Sequence, residues 1–168
     1  MTDSLPDAAL VLTRVAAPEV LAAGAAMNRV AIDVVPTPIG CVAVCDAAEG
    51  EPEAVAELLS RLVPGAPVVL LVQRAGQLDA SRWQGGVERQ QLSAALMLDG
   101  APPEVEGLLL GTVRVAELPG VVSSAGMSRW RAARTLAGVA RATRRVARDA
   151  ARGGDGAGRP TGGTDAGE

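Results

Sequence analysis

Toward its C-terminus the chain repeats arginine at helical intervals: Arg131, Arg134, Arg141, Arg144, Arg145, Arg148 and Arg152. At about 100° per residue these side chains fall within an arc of about 140°, while Leu136, Val139, Ala140, Val146, Ala147 and Ala150 lie opposite and Arg129 alone departs from the face. A guanidinium is permanently charged and presents a fork of donors that matches carboxylates and phosphates. The chemistry of this face is therefore the recognition of anions. Trp130 is embedded in it, and Trp with Arg are the favoured anchors of protein interfaces, so an acidic protein partner is the expected contact. Nucleic acid, met through phosphate neutralisation, and an anionic membrane surface, with Trp130 at the interface, are the alternatives.

Charge is segregated along the chain. Residues 129–152 carry 8 arginines against Asp149 alone, net +7, whereas residues 1–128 carry 7 arginines against 15 acids, net −8. The acidic portion opposes a nucleic-acid role and also offers the arginines an internal partner. On that second reading the basic face is solvated, or paired with the chain's own carboxylates, and binds nothing.

The remaining side chains exclude more chemistry than they suggest. All 16 basic residues are Arg, and His, Lys, Tyr and Phe are absent, a pattern we attribute to the codon bias of a GC-rich bacterial genome. Without His there is no Ser-His-Asp or Cys-His unit and no histidine-held zinc or haem. Without Lys there is no Walker-type phosphate loop and no Schiff base. No GxGxxG follows an expected strand, and no cofactor is expected. A non-enzymatic adaptor or regulatory role is favoured by this subtraction. The competing class is a carboxylate-based enzyme or small-molecule-binding domain using Asp33, Asp46 or Asp79 near strand ends.

Cys41 and Cys45 lie four apart in a β-branched stretch. On a strand they share a face about 13 Å apart, too far for a disulfide or a common metal, and read as small buried hydrophobes. Asp46, Glu49, Glu51 and Glu53 lack the spacing of a calcium loop and read as carboxylates at a helix start. Trp83, in a Gly-flanked polar loop with Gly85 and Gly86, is a second candidate contact residue. Capping an edge of an aromatic-poor core is its plainer role.

These residues must be positioned by alternating strand-length and helix-length runs, the pattern of an α/β or α+β domain. Strands are expected at Ala9 to Val15, Val30 to Val35, Gly40 to Asp46 and Pro67 to Gln73, with helices at Pro18 to Asn28 and Pro52 to Val63. Pro18 opens the first helix and Asn28 closes it. Glu51 and Glu53 at the start of the second and Arg61 near its end follow the dipole, and Pro64 with Gly65 stops it. The order β-α-β-β-α-β is that of a ferredoxin-like split core, with an open, mostly parallel sheet as the alternative. A polar connection, Arg74 to Gly86, is expected to lead to an added β-α-β unit: Ser93 to Leu98, a helix near Pro103 to Leu110, and Thr112 to Leu118. The basic helix then spans roughly Met127 to Arg152, supported by Ala- and Arg-rich composition and by Asp149 facing Arg145 and Arg152.

The expected organisation is thus an acidic domain over residues 1–120, a basic amphipathic helix over 121–152 and a disordered Gly-rich tail over 153–168. The opening residues carry acids where an export signal needs a basic stretch, and no apolar window approaches about 18 residues. A soluble, cytoplasmic protein is expected.

Overall fold

The computed structural model describes residues 5–153, in which the β-branched runs pair into one sheet and Ala- and Leu-rich runs cover it. The strands are β1 (Ala8–Leu12), β2 (Asp33–Thr37), β3 (Gly40–Cys45), β4 (Val68–Arg74), β5 (Gln77–Gln84), β6 (Val87–Leu92) and β7 (Val122–Ser123). Across the sheet they run β6-β5-β4-β1-β3-β2-β7, every neighbouring pair antiparallel. That pairing overturns the open, mostly parallel alternative. The helices are α1 (Pro18–Met27), α2 (Glu51–Leu62), α3 (Ala94–Asp99), α4 (Pro103–Leu109) and α5 (Arg129–Gly153). The protein is a mixed α+β chain with a seven-stranded antiparallel sheet and, among the described residues, five α-helices.

The first six elements appear in the expected order, and their ends obey the expected local chemistry. Pro18 occupies the first turn of α1, and the helix closes where the Asn28 N–H donates to the Ala25 carbonyl and the Arg29 N–H to the Ala26 carbonyl. In α2, Glu51 and Glu53 stand in the first turn and Arg61 in the last, where it pairs with Glu57 one turn earlier. Gly40 opens β3 with φ +131, and a Cβ there would strike the Thr13 carbonyl, so only glycine lets the two segments approach.

Alternation along each strand divides the interior into two packed faces. Val11, Val34, Ala43 and Leu70 meet Leu21 and Ala22 of α1 and Val55 and Leu59 of α2. On the other face Leu10, Val35, Val42 and Leu71 meet Val105, Leu108 and Leu109 of α4. Strands covered on both sides read as continuous apolar runs, which is why β1, β3 and β4 were legible.

Beyond Arg74 the expected polar connection is instead a pair of strands. β5 joins β4 through Ala75-Gly76 and β6 through Gly85-Gly86, with φ of 49, 78, 62 and 83, the left-handed geometry of tight two-residue hairpins. Ser93 to Leu98, expected as a strand, is mostly helix α3, because Ala, Leu and Met are strong helix formers and no residue of the run is β-branched. Thr112 to Leu118, also expected as a strand, turns back on α4. The Thr112 and Val113 N–H groups both donate to the Gly107 carbonyl, at 3.0 and 3.1 Å, and a short 3-10 turn follows at Val115–Glu117. The added β-α-β unit is therefore a hairpin, two short helices and the two-residue β7.

The chain divides after Leu136, leaving the sheet and the first two turns of α5 in one unit and Ala137 onward in the other. The expected tail falls, from residue 154 on, outside the described residues.

Candidate functional site

Helix α5 starts where Ser128 accepts a hydrogen bond from the Arg131 N–H at 3.2 Å, a serine capping its first turn. Ala132 is fully buried with Ala23 and Ala26 of α1, and Met127 and Leu136 pack around them. Alanine on alanine lets the two helices approach closely and fixes which side of α5 faces inward. The opposite side carries Trp130, 70% exposed, with the Arg134 guanidinium 4.8 Å from its ring centroid. Such stacking is a cation–π contact between residues one turn apart, and Arg131 stands exposed beside it. Trp130, Arg131 and Arg134 thus lie together on the exposed side of the first turns.

In the second unit, Arg141, Arg144, Arg145, Arg148 and Arg152 are all exposed, as are Val139 and Val146, at 39% and 69%. Thr143 folds its hydroxyl back to donate to the Val139 carbonyl at 3.0 Å. Asp149 makes no ion pair with Arg145 or Arg152; among the described residues the ion pairs are Arg61 with Glu57 and Arg74 with Glu53. Ala and Arg propensity therefore carries this stretch of helix without the expected charge pairs.

Trp83 stands on β5 and not on a loop. It is buried in the cluster that holds Val55, Ala56 and Leu59 of α2, and its indole N–H donates to the Ser81 hydroxyl at 2.9 Å. Cys41 and Cys45 are free thiols packed in or against that same cluster, the place expected for small hydrophobes. Burial pushes the Cys45 thiol up to about 12, with Asp46, Glu53 and Glu51 adding to the effect, and burial and then Glu19 raise Cys41. Neither is a ready nucleophile.

The acids are placed but not assembled. Asp33 and Asp46 line one shallow depression together with Cys45, whereas Asp79 lines another with Glu53, Arg74 and Glu88. Asp46 accepts from the Ala48 N–H at 2.8 Å, and Glu53 faces Arg74 at 3.6 Å. Among the described residues no group of three or more Cys, Asp or Glu is placed to hold a metal ion.

One concave feature was missed from sequence. Leu12, Val69 and Arg82 lie in register across β1, β4 and β5, and beside them opens a cleft of about 700 Å³ that Arg14, Ile39 and Met97 also line. The hairpin places Arg82 there, so only correct assignment of β5 from its two-residue turns could have revealed it. No family model, curated protein or solved structure matches this chain. Among the described residues no helix is long and apolar enough to cross a membrane.

Proposed function

We propose that this chain is a non-enzymatic adaptor or regulatory protein that binds an acidic protein partner through α5. The observation that carries the reading is the outward Trp130–Arg134 pair. Packing of Ala132 on α1 occupies the small apolar side of the first turns, leaving Trp130, Arg131 and Arg134 exposed on the other. Trp and Arg concentrate binding energy at interfaces, and the guanidinium fork matches carboxylates. Arg141, Arg144, Arg145, Arg148 and Arg152 continue the cationic row at helical spacing and favour fast, salt-sensitive capture of an acidic surface. An anionic membrane is served less well, because the apolar side of the helix is mostly alanine with Val139 and Val146. Nucleic acid is opposed by the net −8 of residues 1–128. The reading places the protein in the cytoplasm.

The scaffold in this reading is a ferredoxin-like split core. Its support is the order β4-β1-β3-β2 with α1 and α2 as the two crossovers, widened by the β5–β6 hairpin on one side and by β7 on the other. Such a core carries many activities, so the reading of function rests on α5 and not on the sheet.

The test compares the full chain with a triple variant, Trp130→Ala, Arg131→Glu and Arg134→Glu, against a Glu- and Asp-rich peptide, duplex DNA and anionic vesicles at about 50 and 200 mM salt. The expected result is peptide binding that the variant weakens by about tenfold or more, with DNA and vesicles bound less well. Unchanged peptide binding, or tighter binding to DNA or vesicles, overturns the proposal.

A further inference from the structure

We infer that the cleft beside Arg82 binds a small amphipathic carboxylate, its head on the guanidinium and its aliphatic body on the apolar walls. The site shares no residue with α5, so it stands or falls independently of the partner proposed there. Register builds its floor: Leu12 pairs with Val69, and Val69 with Arg82, so the three side chains stand side by side on the α4 face of the sheet. The adjoining row on that face, Leu10, Leu71 and Ala80, is sealed by Val105, Leu108 and Leu109 of α4. No residue of α4 lines the cleft beside the Arg82 row. Met97 of the short helix α3, Leu92 at the end of β6 and Ile39 of the β2–β3 turn line the gap. The volume of about 700 Å³ is in the range of small-molecule sites.

Charge decides which small molecule. Arg82 and Arg14 both line the cleft, and neither is ion-paired among the described residues. A guanidinium that lines an apolar cleft without a counter-charge offers a carboxylate paired, charge-assisted hydrogen bonds. Arg14, exposed at the rim, adds a second positive charge that attracts the head group. Leu12, Val69, Leu92 and Met97 then require an apolar body. A cation is repelled, a neutral chain leaves the guanidinium unpartnered, and a bare carboxylate leaves the walls wet.

The experiment is calorimetric titration of the full chain with decanoate below its micelle concentration, with decanol as the uncharged analogue and acetate as the head group alone. Decanoate is expected to saturate one site, decanol to bind about tenfold or more weaker, and acetate not at all. Arg82→Gln is expected to weaken decanoate by about tenfold and to leave decanol unchanged. Met97→Trp, which fills the cleft from a short surface helix, is expected to abolish decanoate binding and serves as the second variant if Arg82→Gln does not fold. The inference is overturned if decanoate does not bind, if decanol binds equally well, or if a folded variant of either kind binds decanoate as the original chain does.

Discussion

The chain's two aromatic residues occupy opposite extremes. Trp83 is 8% exposed, on a strand, packed with α2 and hydrogen-bonded through its indole; Trp130 is 70% exposed, on a helix, and stacked only against an arginine. Both sit among polar neighbours in sequence, so composition does not separate them. Register does. On β5 the alternation that sends Arg82 to one face sends Trp83 to the other, under α2. On α5 the burial of Ala132 turns Trp130 outward. The sheet keeps its reactive groups inside, Cys41 and Cys45 included, while the helix puts its charged and aromatic groups where a partner can reach them.

The largest expected contrast is in thiol reactivity. At pH 8, Cys45 should alkylate about a thousandfold more slowly than a cysteine introduced at exposed Val146, because its pKa is raised from 9.0 to about 12 and the thiolate is the nucleophile. Equal rates in native buffer would sink the contrast. The sign for stability follows from the same shift. The folded thiol holds its proton up to about 12 and the unfolded one releases it near 9.0, so its contribution is complete below pH 9.0 and is lost as pH rises through 12. Denaturant midpoints should fall across that window.

Next in size is the pair of tryptophan truncations. Trp83→Ala removes a buried side chain and leaves a cavity under α2, a loss of about 3–5 kcal/mol in urea unfolding. Trp130→Ala, at an exposed position, should change stability by about 0.5 kcal/mol or less. Similar losses at the two sites would mean that Trp130 is held by the fold and is not a presented anchor.

How much of this was legible follows from how each element is covered. β1, β3 and β4 are central strands buried on both faces, and their unbroken apolar runs gave them away. α1, α2 and α5 were readable from Pro18, Glu51, Arg61 and the arginine spacing. β5 and β6 were not, since the outer strand β6 is exposed and polar for nearly its whole length and β5 alternates Asp79, Ser81 and Arg82 with its apolar residues. An edge strand written this way resists pairing with other chains, and the same polarity disguises it as a loop. The Ala75-Gly76 and Gly85-Gly86 turns were the available signal. The cationic face of α5 was therefore visible in its residues, though the packing of Ala132 on α1 was not. The Arg82 cleft was invisible, because it exists only once β5 is paired with β4.

A smaller contrast than that between the tryptophans tests that packing. Ala132 has no exposed surface and meets Ala23 and Ala26, so Ala132→Leu adds atoms where two helices already touch through their smallest side chains. Overpacking of this kind costs about 1–3 kcal/mol. For a chain of this size that lowers the melting temperature by about 2–4 °C for each kcal/mol. Helix content by circular dichroism should hold, since alanine and arginine propensity does not depend on the contact. Val146→Leu, exposed on the same helix, supplies the reference and should leave the melt unchanged. Were Ala132→Leu equally silent, α1 would not be what turns Trp130, Arg131 and Arg134 outward, and the geometric basis for a presented contact face would be lost even with every arginine in place.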